Sequence, residues 1–216
     1  MEKEIYKKYL LLHDLNVSRE TYFDFENFIS MIISKNKEIN IISHKTAKND
    51  LVRHRHIIDS AQSIDFVDLN QNTIYDIGTG GGFPGIVMAI MAKNLKKNVK
   101  FYLYEKSYNK GLFLKEVSRE LNLDTEIIQK DIFKSKNLRS GTIMARAFKP
   151  LPVVLDLVYE NFSSYKNLIL YMGKTGQKIL SEALKMWDFD YEEKTSLTSK
   201  DSFLLNIKNI KKKNYN

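Results

Sequence analysis

Apolar residues in the first sixty-five positions recur at helical intervals. Phe25, Phe28, Ile29, Ile32 and Ile33 stand at i, i+3, i+4, i+7 and i+8 behind Ser18, a residue type that caps helix N-termini. The spacing predicts an amphipathic helix whose stripe needs a surface to cover. A second helix is expected over roughly 48–65, with Leu51, Ile57, Ile58, Ala61 and Ile64 turned inward and Arg53, Arg55, His56 and Asp59 on its polar side.

From Thr73 the period changes. Short apolar runs alternate with amphipathic segments: TIYDI, then a helix from Pro84 carrying Ile86, Val87, Ile90 and Met91; KFYLYE, then Leu114, Val117 and Leu121 at helical spacing. TEIIQ, GTIMA, a helix with Leu151, Val154, Leu155, Val158 and Phe162, NLILYMG and a helix near 176–187 continue the series. Such alternation predicts an α/β fold with a mostly parallel sheet covered on both faces. The last two strands, near 189–195 and 202–210, have no helix between them and are expected to form an antiparallel edge hairpin. The reading divides the chain into a helical extension (1–65), an α/β domain (66–210) and a basic tail (211–216).

Four of the nine glycines fall between 78 and 82 in YDIGTGGGFPG, the turn from the first strand into its helix. In open α/β sheets ligands sit at such turns. Gly78, Gly80 and Gly82 give G-x-G-x-G, a backbone that a ligand can approach with no Cβ in the way. The dinucleotide fingerprint G-x-G-x-x-G would need glycine at 83, where Phe83 stands. Asp76 places a carboxylate just before the loop. It would repel a pyrophosphate, whereas the ammonium of a methionine moiety would be held directly or through water. Glu105, ending the second strand, can accept from both ribose hydroxyls, as an acid there also does in nicotinamide enzymes. Together these residues favour S-adenosyl-L-methionine as cofactor. Gly173-Lys174-Thr175 imitates the end of a phosphate-binding loop, but that motif needs glycine at 168, and Leu168 occupies the position.

Composition then narrows the chemistry. No cysteine is present, which removes disulfides, thiolate metal sites and a cysteine nucleophile together. C5 methylation of a pyrimidine commonly needs that nucleophile. Exocyclic amine methylation typically uses an N/D-P-P-Y/F loop after the fourth strand, where this chain reads ARAFKPLP (145–152). A ring nitrogen such as guanine N7 carries a lone pair and no proton, so placement and hydrogen bonding suffice. A cationic donor can read the O6/N7 edge of guanine, and Arg146 and Lys149 stand where such donors are needed. The net charge of +8 suits a polyanionic partner, although 28 of the 34 cationic residues are Lys in a chain rich in Asn and Ile, as an AT-rich genome would produce. The terminal Lys208, Lys211, Lys212 and Lys213 fit either a solvated terminus or an RNA contact. The N-terminus has no signal-peptide pattern and no run is long enough to span a membrane, so a cytoplasmic, soluble protein is expected. The histidines His13, His44 and His54 lack companions at ligand spacing, and no metal is expected.

INIISHKTAKNDLVRHRHIIDS (39–60), DIGTGGGFPGI, EKSYNKGLFLKE and ARAFKPLP occur in an order that resembles the bacterial 16S rRNA guanine-N7 methyltransferases, the glucose-inhibited division protein B family. The resemblance covers roughly residues 35–180. It implies a class I S-adenosylmethionine-dependent methyltransferase fold, Rossmann-like with seven strands, an N-terminal helical extension, and N7 methylation of one guanine in 16S rRNA of the small ribosomal subunit. A monomer is expected. By position, Gly78 and Phe83 match residues lining the cofactor, Asp131 and Ile132 fall where the adenine is met, and Arg146 matches the arginine of the family's A-R-A motif and is the candidate catalytic residue and a further candidate cofactor contact. Arg55, His56, Lys149 and Lys174 are the candidate substrate contacts. Arg55 and Asp59, at i and i+4, can equally be a helix ion pair. The family often has Asp where Glu105 stands and Lys-Gly where this chain has Gly173-Lys174. Two rival readings remain: a methyltransferase of the same fold for a small molecule or protein, and a non-enzymatic RNA-binding or assembly factor.

Overall fold

The computed structural model describes residues 2–15 and 17–213. Helix α1 (Glu2–Lys8) and a 3-10 turn, Leu10–Leu12, lead into α2 (Arg19–Lys35). Ser18 caps α2 from extended backbone, its hydroxyl accepting from the Thr21 N–H at 3.4 Å. Phe25, Phe28, Ile29 and Ile32 are wholly buried, while Ile33 is only partly so. The helix expected over 48–65 is a composite rod: α3 (Asn49–Val52), a π-helical segment Arg53–Ile58, α4 (Asp59–Ala61) and a 3-10 segment Gln62–Phe66. Single π turns inside helices often mark functional sites.

Arg53 corrects the sequence reading. It is buried on the same face as Ile57, and Glu26 of α2 compensates its charge, meeting Nε at 2.6 Å and Nη2 at 2.8 Å. Tyr9 also donates to Glu26, at 2.8 Å. Burial alone would raise the Glu26 pKa, but the hydrogen bonds from Arg53 and Tyr9 hold it below the ordinary value. A paired guanidinium is tolerated inside where an unpaired one would not be.

The α/β part runs β1 (Thr73–Ile77), α5 (Gly85–Asn94), β2 (Lys100–Tyr104), α6 (Tyr108–Glu120), β3 (Thr125–Ile128), β4 (Leu138–Arg139), β5 (Thr142–Ala145), α7 (Leu151–Asn161), β6 (Phe162–Ser164), β7 (Asn167–Met172), α8 (Gly176–Met186), β8 (Trp187–Thr195) and β9 (Phe203–Lys212). Seven strands form one sheet in the order β3-β2-β1-β5-β7-β9-β8. β9 lies antiparallel between β7 and the edge strand β8, and the remaining pairs are parallel. The short parallel pair β4 and β6 had no signature in the sequence. β9 runs through Lys212, so Lys211 and Lys212 belong to the sheet rather than to a tail, and Lys212 pairs with Asp156 at 2.8 Å. Positions 214–216 of the expected tail lie outside the described residues.

Each sheet face has its own apolar cluster. On one, α5 and α6 pack together with α2 and the 49–66 rod; on the other lie α7 and α8. The α2 stripe thus finds its surface on α5 and α6. Strand order reverses between β1 and β5, and the crevice outside their carboxyl ends is where this architecture holds ligands. Among the described residues no helix is long and apolar enough to cross a membrane.

Candidate functional site

Two loops meet at that crevice. The first, after β1, holds Gly78, Gly80 and Gly82 at φ of 77°, 59° and 97°, the left-handed region that favours glycine. The N–H groups of Gly78 and Thr79 both donate to the Tyr104 carbonyl at 3.0 Å, tying the loop to the end of β2. The second loop, after β5, carries Arg146 to Lys149. Ala147 adopts φ of 51° there, and the Phe148 ring lies so close over Gly78 that a Cβ on Gly78 would sit 2.2 Å from it.

A cavity of 280 Å³ opens between the loops, lined by Gly78, Gly80, Tyr104, Glu105, Ile132 and Phe148 among others. A neighbouring cavity of 520 Å³ shares Gly78, Gly80, Lys110 and Ala147 with it and adds Phe83, Arg55, His56, Asp59 and Arg146. A third hollow, of 150 Å³, lies across Phe148 at the ends of β5 and β7 and includes Lys149, Leu170 and Tyr171. The first cavity fits a nucleoside. Glu105 uses Oε1 to accept from the Ser107 N–H at 2.7 Å, which leaves Oε2 for a ribose, and Gly78 and Gly80 present bare backbone. Beneath the loop, the Asp76 carboxylate and the Thr79 hydroxyl are buried together.

Asp76 is placed differently from the expectation. It is fully buried, lines neither of the two larger cavities, and spends Oδ2 on the Gly85 N–H at 2.7 Å, at the N-terminus of α5. From this position the side chain braces the loop through the Gly85 N–H and reaches neither cavity itself, so of the expected direct or water-mediated hold on an ammonium the direct one is not offered. Burial pushes its pKa up to about 6 against the Thr79 hydroxyl, the Gly85 N–H and the Arg146 charge, which favour the ionised form. Gly82 also lines neither cavity; its requirement is its φ of 97° together with packing, since a Cβ there would meet Ile86 at 2.7 Å. Of the pair Asp131 and Ile132, only Ile132 reaches the first cavity. Asp131 caps the following 3-10 turn through Phe133 N and pairs with Lys106 at 2.6 Å.

Arg146 is the centre of the second cavity's polar wall. Its Nη1 donates to the Arg55 carbonyl and to Asp59 Oδ2, each at 3.1 Å, and its Nη2 lies 2.8 Å from His56 Nδ1. Asp59 therefore pairs with Arg146 and not with Arg55, because the helix turns the carboxylate towards the β5 loop. Asp59 Oδ1 further accepts from Gln62 and Thr198 at 2.9 Å. The His56 ring stacks on Phe83 with centroids 4.8 Å apart, and Arg146 lies 5.0 Å from the same ring. Burial first, then Arg146 and Arg55, push the His56 pKa down to about 3. Lys149 is exposed beside the third hollow, and Lys174 is exposed in a separate polar depression with Glu193 and Asp201, so the structure does not bring either into the Arg146 cavity. Lys110 and Phe148 line the site without having been anticipated. For Phe148, the run ARAFKPLP was a signal for a loop but not for which ring would fold back.

The family profile described as rRNA small subunit methyltransferase G (GidB) matches residues 22–207. The chain is 62% identical over 212 residues to the ribosomal RNA small subunit methyltransferase G of Pelagibacter ubique, covering 98% of this chain and 100% of that protein. The protein of the same name from Ruegeria pomeroyi is 32% identical over 197 residues, covering 91% and 95%. Among solved structures, a SAM-dependent methyltransferase from Aquifex aeolicus superposes with a TM-score of 0.56 at 14% identity, over 81% of this chain and 97% of that one. M. jannaschii TYW2 in complex with AdoMet gives 0.51 at 15% identity, over 72% and 75%. The structural likenesses establish the class I methyltransferase fold. The sequence matches go further: the chain belongs to the rRNA small subunit methyltransferase G family.

Proposed function

We propose that this S-adenosylmethionine-dependent methyltransferase modifies N7 of a guanine in 16S rRNA. The observation that carries the acceptor is the state of the second cavity's wall. His56 and Asp59 are its imidazole and its carboxylate, and both are committed: His56 Nδ1 to Arg146, Asp59 to Arg146, Gln62 and Thr198. Neither of the two is a free proton acceptor. A ring nitrogen with an exposed lone pair needs none, whereas an exocyclic amine would.

When bound, S-adenosylmethionine supplies an electrophilic methyl group. The protein's part is placement and electrostatics. Glu105 Oε2 and the Gly78 and Gly80 backbone would hold the cofactor's nucleoside, with Ile132 and Phe148 enclosing it. Arg146, with hydrogens left over beyond its three bonds, is the donor available to an acceptor atom of the base. Arg55 at the cavity wall, and Lys45, Lys48 and Lys149 on exposed backbone near it, would neutralise phosphates.

Mapping N7-methylguanosine in 16S rRNA from strains with and without this protein tests the reading. One guanine is expected to lose the modification on deletion and regain it on complementation. An unchanged map would refute it, and turnover on a small molecule without RNA would favour the rival enzyme class.

A further inference from the structure

The Arg146 cluster contains more constraint than transfer to a lone pair requires. The π-helical segment presents three groups to one guanidinium: the Arg55 carbonyl, the His56 ring and, one residue beyond its end, the Asp59 carboxylate. A guanidinium has no acceptor, so at the 2.8 Å contact His56 Nδ1 must carry the lone pair, and the ring's proton then resides on Nε2. Nε2 is buried and has no partner. The ring cannot swing away, because its face rests on Phe83, which is itself backed by Phe28 at 5.5 Å. Protonation would set a second cation against Arg146 and beside Arg55, with Asp59 already pairing Arg146.

We propose that His56 is a positioning residue that acts through Arg146. As a neutral acceptor on a stacked ring it fixes, with Asp59 and the Arg55 carbonyl, the tilt of the guanidinium over Phe83. The Nε–H and the second Nη2–H are left for the cavity that both residues line. An arginine on a flexible stem would otherwise lose rotamer freedom only on meeting its ligand, and a preset one avoids that loss at the moment of reaction. The inference rests on the reading that Arg146 serves the transfer.

Two substitutions separate positioning from packing. His56→Phe keeps a ring on Phe83 and removes the acceptor; His56→Asn loses the ring and keeps an oxygen near the place of Nδ1. In single-turnover methylation of small-subunit rRNA at saturating S-adenosylmethionine, His56→Phe is expected to slow transfer by about 10–100-fold, as an ångström-scale misplacement does, while His56→Asn stays within several-fold of the parent. The reverse order, or equal losses, would show that the ring matters as packing and overturn the proposal. Arg146→Ala serves as the reference. If it transfers at the parental rate, the reading of Arg146 itself fails; if it is inactive while His56→Phe is unimpaired, only the positioning role of His56 fails. Nitrogen NMR of the unmodified protein gives a readout independent of activity. Nδ1 should be unprotonated and Nε2 protonated from pH 5 to 8 without titration, and a proton on Nδ1 or a midpoint near 6.5 would sink the idea.

Discussion

Asp76 illustrates how one side chain can support a site at a cost to the fold. Its pKa is raised from 3.8 to about 6, so the native state binds this proton more tightly than the unfolded chain does. The contribution therefore favours folding at low pH and is withdrawn as pH rises through about 6. Asp76→Asn keeps an oxygen for the Gly85 N–H and removes the buried charge. Each tenfold difference in proton affinity between the folded and unfolded chain corresponds to roughly 1.4 kcal/mol, so thermal denaturation at pH 7 should show this variant more stable by up to about 3 kcal/mol. The gain should shrink below pH 6. Calorimetry should show weaker S-adenosylmethionine binding in the same variant, and in the parent a fall in affinity as pH drops through about 6. A variant that binds as tightly as the parent would mean that the carboxylate serves the loop alone. Gly78→Ala should also weaken binding, since it strains a φ of 77° and drives a methyl into Phe148.

At the scale of elements, α2 and the 49–66 rod work as the back wall of the site. Phe28 on α2 backs Phe83 at 5.5 Å and lies 6.5 Å from Phe113, so a packing residue of the extension bears on the ring beneath His56 and Arg146. Phe28→Ala is expected to cost about 3–5 kcal/mol and also to lower cofactor affinity and transfer rate. Leu155→Ala, in the cluster on the opposite sheet face, should cost about 2–5 kcal/mol with affinity unchanged where both variants are folded. Equal affinity losses would disprove the coupling between α2 and the loop. Both helices were legible in the sequence from their periodicity and from Ser18. The π turn was not, because apolar spacing reports which face is buried but not how many residues fill a turn. Arg53 misled for a related reason: its inward position depends on Glu26, twenty-seven residues earlier, and no local pattern carries that pairing.

Across the whole molecule, distant segments close on one another at the site. The turn after β8 is clamped to the rod, with the Leu197 N–H on Gln62 Oε1 at 2.7 Å and Thr198 on Asp59 at 2.9 Å. Gln62→Ala should leave the Leu197 amide without its partner, cost about 1–3 kcal/mol, and appear as faster hydrogen exchange at Leu197; unchanged exchange would count against the clamp. The positive balance of the chain acts at this scale too. If six to ten phosphates are contacted, rRNA affinity should fall by about 10³–10⁵ between roughly 50 and 200 mM salt while cofactor affinity barely moves. A flat salt response would argue against a phosphate-dominated interface. The amino-acid sequence by itself determined the strand-helix alternation, the G-x-G-x-G turn, the absence of a thiol nucleophile and the family, because each is written in short-range spacing or residue type. Only the tertiary structure decided which of the candidate residues share a cavity. It buried Asp76 beneath the loop, turned Asp131 into a cap, left Lys149 and Lys174 outside, and gathered Arg55, His56 and Asp59 around Arg146. The gathering around Arg146 rests on contacts between residues some ninety positions apart, which depend on how the rod packs against the β5 loop and leave no mark in local sequence.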